Sequence, residues 1–308
     1  MTTPSRVPAP PAPAIPSPGD LPSHEFGLAL GLVVGRYAFK MQDLHYGYWT
    51  DDLPVEIQNI AAAQARYTEF LMERIPRGVR TILDVGCGAG NTARKLLDCG
   101  YAVDCVSPNG PLTAAARELL GDRVSFFECR FEELETERRY DLILFSESLL
   151  FMKLDQALAK ALGLLNPGGH LLITDIFRVP AEGKSPIGGG QHLPVFRDAL
   201  ARQPVEIVAD VDMTSGIAPT FDVLDQAYAQ AIKPAYELLM ARLVAKYPWT
   251  MRVVRWKFRK KIERYEQKHF SGRRNAENFK RYKSYRLFLL RKRDGQVVGK
   301  GEGGRGKG

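Results

Sequence analysis

The chain has 308 residues, 45% hydrophobic and 25% charged, which is the balance of a globular protein and excludes a wholly disordered or fibrous one. Its longest apolar run, Phe26 to Gly35, is ten residues, about half of the ~20 that a membrane-crossing helix needs. The net charge of +8 is unevenly spread: from Arg242 onward there are 22 Lys or Arg against 5 Asp or Glu, and before it 21 against 30, an asymmetry that points to a polyanionic partner.

In chain order, residues 1–22 are proline-rich and lack an apolar core segment, so a disordered tail is expected and a secretory signal is not. That points to a cytoplasmic protein. Residues 23–75 are expected to form a helical lid, because Phe26–Lys40 and Val55–Arg74 repeat apolar residues every three or four positions around the aromatic stretch Leu44–Trp49. From Thr81 the period changes. Short apolar runs (Thr81–Val85, Tyr101–Val106, Val124–Phe127, Tyr140–Phe145, His170–Ile176) alternate with amphipathic stretches (Thr92–Cys99, Leu112–Leu120, Leu154–Leu165), which predicts an α/β core at 76–180 with a parallel sheet covered on both faces. Residues 181–250 read as an inserted cap with a late strand, Val205–Val211, and a long helix, Leu224–Tyr247. A basic helix and a final strand, Tyr285–Arg291, fill 251–293, and 294–308 reads as a second disordered tail. The four cysteines, Cys87, Cys99, Cys105 and Cys129, form no C-x-x-C pair and stand near no histidine cluster. They are expected to be reduced and mostly packed, with no metal site.

Asp84-Val85-Gly86-Cys87-Gly88-Ala89-Gly90 follows the first strand and opens a helix. Alternate glycines let the backbone turn sharply and approach a ligand, with the amides of a helix start facing it. The spacing G-x-G-x-G is one residue short of the dinucleotide fingerprint, which disfavours a nicotinamide enzyme. With "YDLILFSESLLFM" and "LLNPGGHLLITDIF" in the following blocks, this stretch resembles the class I S-adenosylmethionine-dependent methyltransferases, and in particular the small-molecule enzymes acting on sterols, tocopherols and natural products. The likeness spans Thr81–Phe177. It implies a Rossmann-like, seven-stranded, mostly parallel sheet with a reversed last strand, and S-adenosyl-L-methionine lying across the carboxyl ends of the first strands.

The resemblance places the cofactor's methionine moiety at Asp84, Gly86, Cys87, Gly88 and Gly90, with Ser146 at the end of the fourth strand. Ser107 stands where most of the family has an acidic residue for the ribose hydroxyls. Ser107 or Asn109 can supply a neutral partner, or Ser107 can simply cap the next helix. Arg130 replaces a common adenine-contacting Asp, and Phe131 and Glu132 fall on the positions flanking the adenine. For the chemistry, Glu147 stands where a side chain reaches the cleft, as a base, a substrate anchor, a helix-capping group or a cofactor contact. His45, Tyr46, Tyr48 and Trp49 resemble the aromatic lid of these enzymes. The aromatics would attract a sulfonium or carbocation and His45 would accept a proton, or all four would pack the lid on the sheet.

Met251, Val254, Phe258, Ile262, Tyr265 and His269 form one helical stripe while Arg252, Arg255, Arg259, Lys260 and Arg264 crowd other faces. This basic segment suits an anionic membrane surface, which would make the protein peripheral, or a phosphorylated substrate; it also suits a solvated face. The expected function is methyl transfer to a small, hydrophobic lipid, isoprenoid or natural-product acceptor. The alternatives are a nucleic-acid-binding protein or RNA methyltransferase using the basic segment, and a cofactor-binding fold without activity. No RRM, KH or zinc pattern supports a nucleic-acid partner. The acceptor atom and the oligomeric state have no signal.

Overall fold

The computed structural model describes residues 35–37, 39–108 and 110–293. Both tails, Asn109 and most of the expected Phe26–Lys40 helix lie outside them.

Eight strands share one sheet: β1 (Thr81–Val85), β2 (Ala102–Val106), β3 (Ser125–Phe127), β4 (Tyr140–Ser146), β5 (Leu165–Arg178), β6 (Gln191–His192), β7 (Val205–Asp212) and β8 (Lys283–Lys292). Their order is β3-β2-β1-β4-β5-β8-β7, with the two-residue β6 paired to β5 off this path. Strands β1 to β5 run parallel, and β8 is antiparallel to both β5 and β7. The seven-stranded path with its reversed last strand is the expected one; β6 is an addition the sequence did not signal. The apolar runs are buried on both faces, and successive residues serve opposite layers. Leu83, Val85, Ile143, Phe145 and Ile173 enter one core, while Ile82, Leu142, Leu144 and Leu172 enter the other.

Helices fill both faces. Ile60–Met72, Asn91–Asp98, Pro111–Leu120 and Leu154–Leu164 match the amphipathic stretches within a few residues. The expected Leu224–Tyr247 helix begins earlier, at Pro219, where proline's fixed φ and missing N–H suit a first turn, and it passes through a π turn at Tyr228–Ile232 into Lys233–Lys246. Pro248 then opens the basic helix, Pro248–His269. Among the described residues, no helix is long and apolar enough to cross a membrane. All four cysteines are free. Cys87 and Cys105 are buried, but Cys99 is exposed and Cys129 half-buried, so half of the set is packed, fewer than expected.

Candidate active site

The site lies at the carboxyl edge of β1, β4 and β5, where the parallel strands end together. At the end of β1 the chain turns through Gly86, φ +77°, whose amide donates to the Val106 carbonyl at 2.8 Å. A Cβ on Gly86 would stand 2.6 Å from that of Ser148, so only glycine lets these two loops meet. Gly88, φ +56°, faces open space, which leaves its backbone free to approach a ligand. Gly90 closes the turn at the start of the Asn91–Asp98 helix. Cys87 packs its thiol beside Cys105, whose own thiol is pushed up by that contact and by burial.

Asp84 is 2% exposed, and its Oδ2 has no partner among the described residues. Burial, with the nearby Asp43 carboxylate, pushes its carboxyl up to about 7. The buried Ser148 Oγ also lacks a partner. Buried polar groups are as a rule hydrogen-bonded, so these two unmatched atoms, near a glycine turn whose Gly88 faces open space, are left with capacity for a polar ligand.

Beyond β4, Glu147 adopts φ +56°, one of two described non-glycine residues with positive φ. The turn aims its carboxylate inward. Its Oε1 accepts from the Tyr46 amide at 3.0 Å and from the Tyr285 hydroxyl at 2.8 Å, and burial raises its carboxyl above the ordinary value. Behind it, the hydroxyls of Tyr285 and Tyr67 are 2.9 Å apart, and Tyr67 also meets Thr174 Oγ1 at 2.6 Å and Ser146 Oγ at 3.0 Å. Asp175, next on β5, accepts from the Leu150 and Ile176 amides, and burial with the Glu147 charge pushes it up to about 8.

The Gln42–Trp49 segment crosses over this edge. Gln42 offers its carbonyl to Asn91 Nδ2, at the mouth of the glycine turn. His45 Nδ1 donates to the Tyr46 carbonyl at 2.9 Å, and its Nε2 faces Asp43 Oδ2 at 3.5 Å and Thr68 Oγ1 at 3.3 Å. Burial opposes the charged ring, but the Asp43 carboxylate, and more weakly Glu147, outweigh it and hold the imidazole above its ordinary value. With both nitrogens engaged, His45 has no lone pair directed at a substrate, and its ring ties the segment to Asp43 and Thr68.

The structure separates the other expected residues. Tyr46 packs on Phe221 and Tyr285 beside Glu147. Tyr48 instead lies against Phe70 and over Gly216, and Trp49 is buried with its Nε1 donating to Thr220 Oγ1 at 2.9 Å. These two rings anchor the segment and do not face the Glu147 carboxylate, because the helices at 60–72 and 219–227 capture them. Ser107 receives the Thr113 hydroxyl at 3.2 Å; Gly110, not Ser107, takes the N-cap position of the next helix. Phe131 turns its ring into the core, edge-on to Phe145, so only its backbone is left for a nucleotide. Glu132 accepts from the Lys153 amide, and Arg130 reaches it from the surface. Asn109 lies outside the described residues.

Asp43, Tyr67, Thr174, Asp175 and Tyr285 were not anticipated. Asp175 had a signal, a lone carboxylate inside the apolar run "LLITDIF"; Tyr67 and Tyr285 had none, being 218 positions apart. Among the described residues, no group of three His, Cys, Asp or Glu is placed to hold a metal ion.

Residues 82–169 match a family described as a methyltransferase domain. An uncharacterized methyltransferase of Bacillus cytotoxicus is 29% identical over 121 residues, 38% of this chain and 57% of that protein. A ubiquinone biosynthesis O-methyltransferase of Rickettsia felis is 24% identical over 148 residues, 45% of this chain and 60% of that protein, so the chain spans little more than half the length of these relatives. Among solved structures, the (4+2)-cyclase SpnF superposes with a TM-score of 0.61 at 19% identity, covering 88% of this chain and 95% of the other. A geranyl diphosphate C-methyltransferase of Streptomyces coelicolor, solved with Mg2+, geranyl-S-thiolodiphosphate and S-adenosyl-L-homocysteine, gives 0.61 at 15% identity over 92% and 100%. Residues 82–169 thus match the methyltransferase-domain family, and the chain as a whole shares the fold of these two solved structures.

Proposed function

We propose that the protein transfers a methyl group from S-adenosylmethionine to a small, largely apolar acceptor of the isoprenoid or natural-product kind. The observation that carries this reading is the unpartnered, buried Asp84 carboxylate beside the open backbone of Gly88. The residues present fit the cofactor: Asp84 and Ser148 offer partners to its ammonium group, the turn amides to its carboxylate, and Ser107 a hydroxyl on the ribose side. When bound, the cofactor supplies an electrophilic methyl on a positive sulfur.

The chain's own part is to position and to take up a proton. Holding the acceptor at reacting distance accounts for most of such a rate gain, about 7–11 kcal/mol in well-aligned systems. Glu147, fixed by the Tyr46 amide and the Tyr285 hydroxyl, is the carboxylate that receives the proton the acceptor loses, and burial, by raising its pKa, makes it a stronger base than a free carboxylate. The rings of Tyr46, Phe221 and Tyr285 around it favour an apolar acceptor with transient positive charge. The named solved structures include a methyltransferase with a geranyl diphosphate analogue, which supports the isoprenoid class. The relatives named above give no support to the nucleic-acid alternative or the inactive fold.

Calorimetric titration with S-adenosylmethionine tests the reading. The parent should bind, and Asp84→Asn should bind at least about tenfold more weakly, the loss expected for a charge-assisted contact. Equal affinity of parent and variant would refute it.

A further inference from the structure

We propose that the helical hairpin at 233–269 docks the protein on an anionic bilayer surface. Neither Lys233–Lys246 nor Pro248–His269 contains a buried residue. The two helices meet each other through an inner seam, where the Tyr236 hydroxyl donates to Glu266 Oε1 at 3.1 Å and Tyr236 packs on Phe270. Met251, Val254, Ile262 and His269, four members of the apolar stripe legible in the sequence, are the half-shielded residues on that side.

The opposite side of Pro248–His269 is the unexplained one. Trp249, Val253 and Trp256 stand four and seven residues apart, which puts them on one face, and they are 78%, 61% and 81% exposed. Lys257, Lys260 and Arg264 share or border that face, and the helix as a whole holds eight Lys or Arg against two Glu. One ion pair, Arg259–Glu263, falls within it.

Two tryptophans this far into water have no role in folding the domain. Their amphipathic rings belong at the headgroup level of a bilayer, and the flanking cations match the negative surface of anionic lipid. A second copy placed on this patch by twofold symmetry would press like charges together, which argues against self-association through this face. The proposal stands on this surface alone and does not require the reading of the catalytic site.

The test uses the full chain with vesicles of phosphatidylcholine containing phosphatidylserine, beside vesicles of phosphatidylcholine alone. The protein should co-sediment with the first and not the second, its tryptophan emission should shift to the blue, and added salt should weaken the association. Trp249→Ala with Trp256→Ala, and separately Lys257→Glu with Lys260→Glu, should each reduce binding at least about tenfold with an unchanged melting temperature, because the altered side chains are exposed. Binding of both double variants equal to the parent would overturn the proposal. So would failure to sediment, preference for mixed-sequence RNA over the vesicles, or a dimer in light scattering that the tryptophan variant dissolves.

Discussion

Glu147 sits in a backbone conformation that costs a non-glycine residue on the order of 1–3 kcal/mol, and it buries a carboxylate there as well. The proton-accepting role proposed for Glu147 would account for two unfavourable features at one residue. Glu147→Gln keeps an acceptor for the Tyr46 amide and the Tyr285 hydroxyl but cannot take up a proton. Turnover is expected to fall about 10²–10⁴-fold with no loss of cofactor affinity, which kinetics and calorimetry read separately. Asp84 makes the complementary prediction about pH. Its folded pKa of about 7, that of Asp175 at about 8 and that of His45 all lie above their unfolded values. These three groups hold more protons in the folded state than in the unfolded one between about pH 4 and pH 8, so their contribution to the stability of the ligand-free protein falls as pH rises through that window, while His269, pushed down to about 4, works in the opposite sense. Thermal melts of Asp84→Asn should lose part of this slope and gain stability on the order of a few kcal/mol at pH 8, while cofactor binding weakens.

At the scale of elements, the Gln42–Trp49 segment is a strap tied down at both ends. Gln64 Nε2 donates to the Asp43 and His45 carbonyls, the Tyr48 amide to Ala63, and the Trp49 amide to Gly216. Gln64→Ala removes the donor from two shielded carbonyls and is expected to lower stability by about 1–3 kcal/mol in denaturant titration. Gly216→Ala should cost a comparable amount, because an added methyl would run into the Tyr48 ring. The strap also shows where sequence reading stops. Its aromatic content was plain, but which rings face the site depended on helices far along the chain: Thr220 takes Trp49, and Phe221 takes Tyr46. By contrast, β1 to β5 and the glycine turn could be read within a few residues, since the apolar period and the turn chemistry are local. The Glu147–Tyr285–Tyr67 cluster joins three distant parts of the chain, and no local spacing encodes it.

For the whole molecule, the feature with the widest reach is the placement of β8 between β5 and β7. The sheet is closed by a strand made more than a hundred residues after β5, and that same strand delivers Tyr285 to Glu147. A chain stopped after Tyr282 would leave the edges of β5 and β7 without their shared partner, and it should show no cooperative melt and collect in aggregates during centrifugation. On the ribosome, the polypeptide must therefore wait with an open seam while the intervening helices emerge, and competence arrives in one late event. Synthesis itself thus acts as a timer: until β8 has emerged, Glu147 lacks the Tyr285 hydroxyl that holds it.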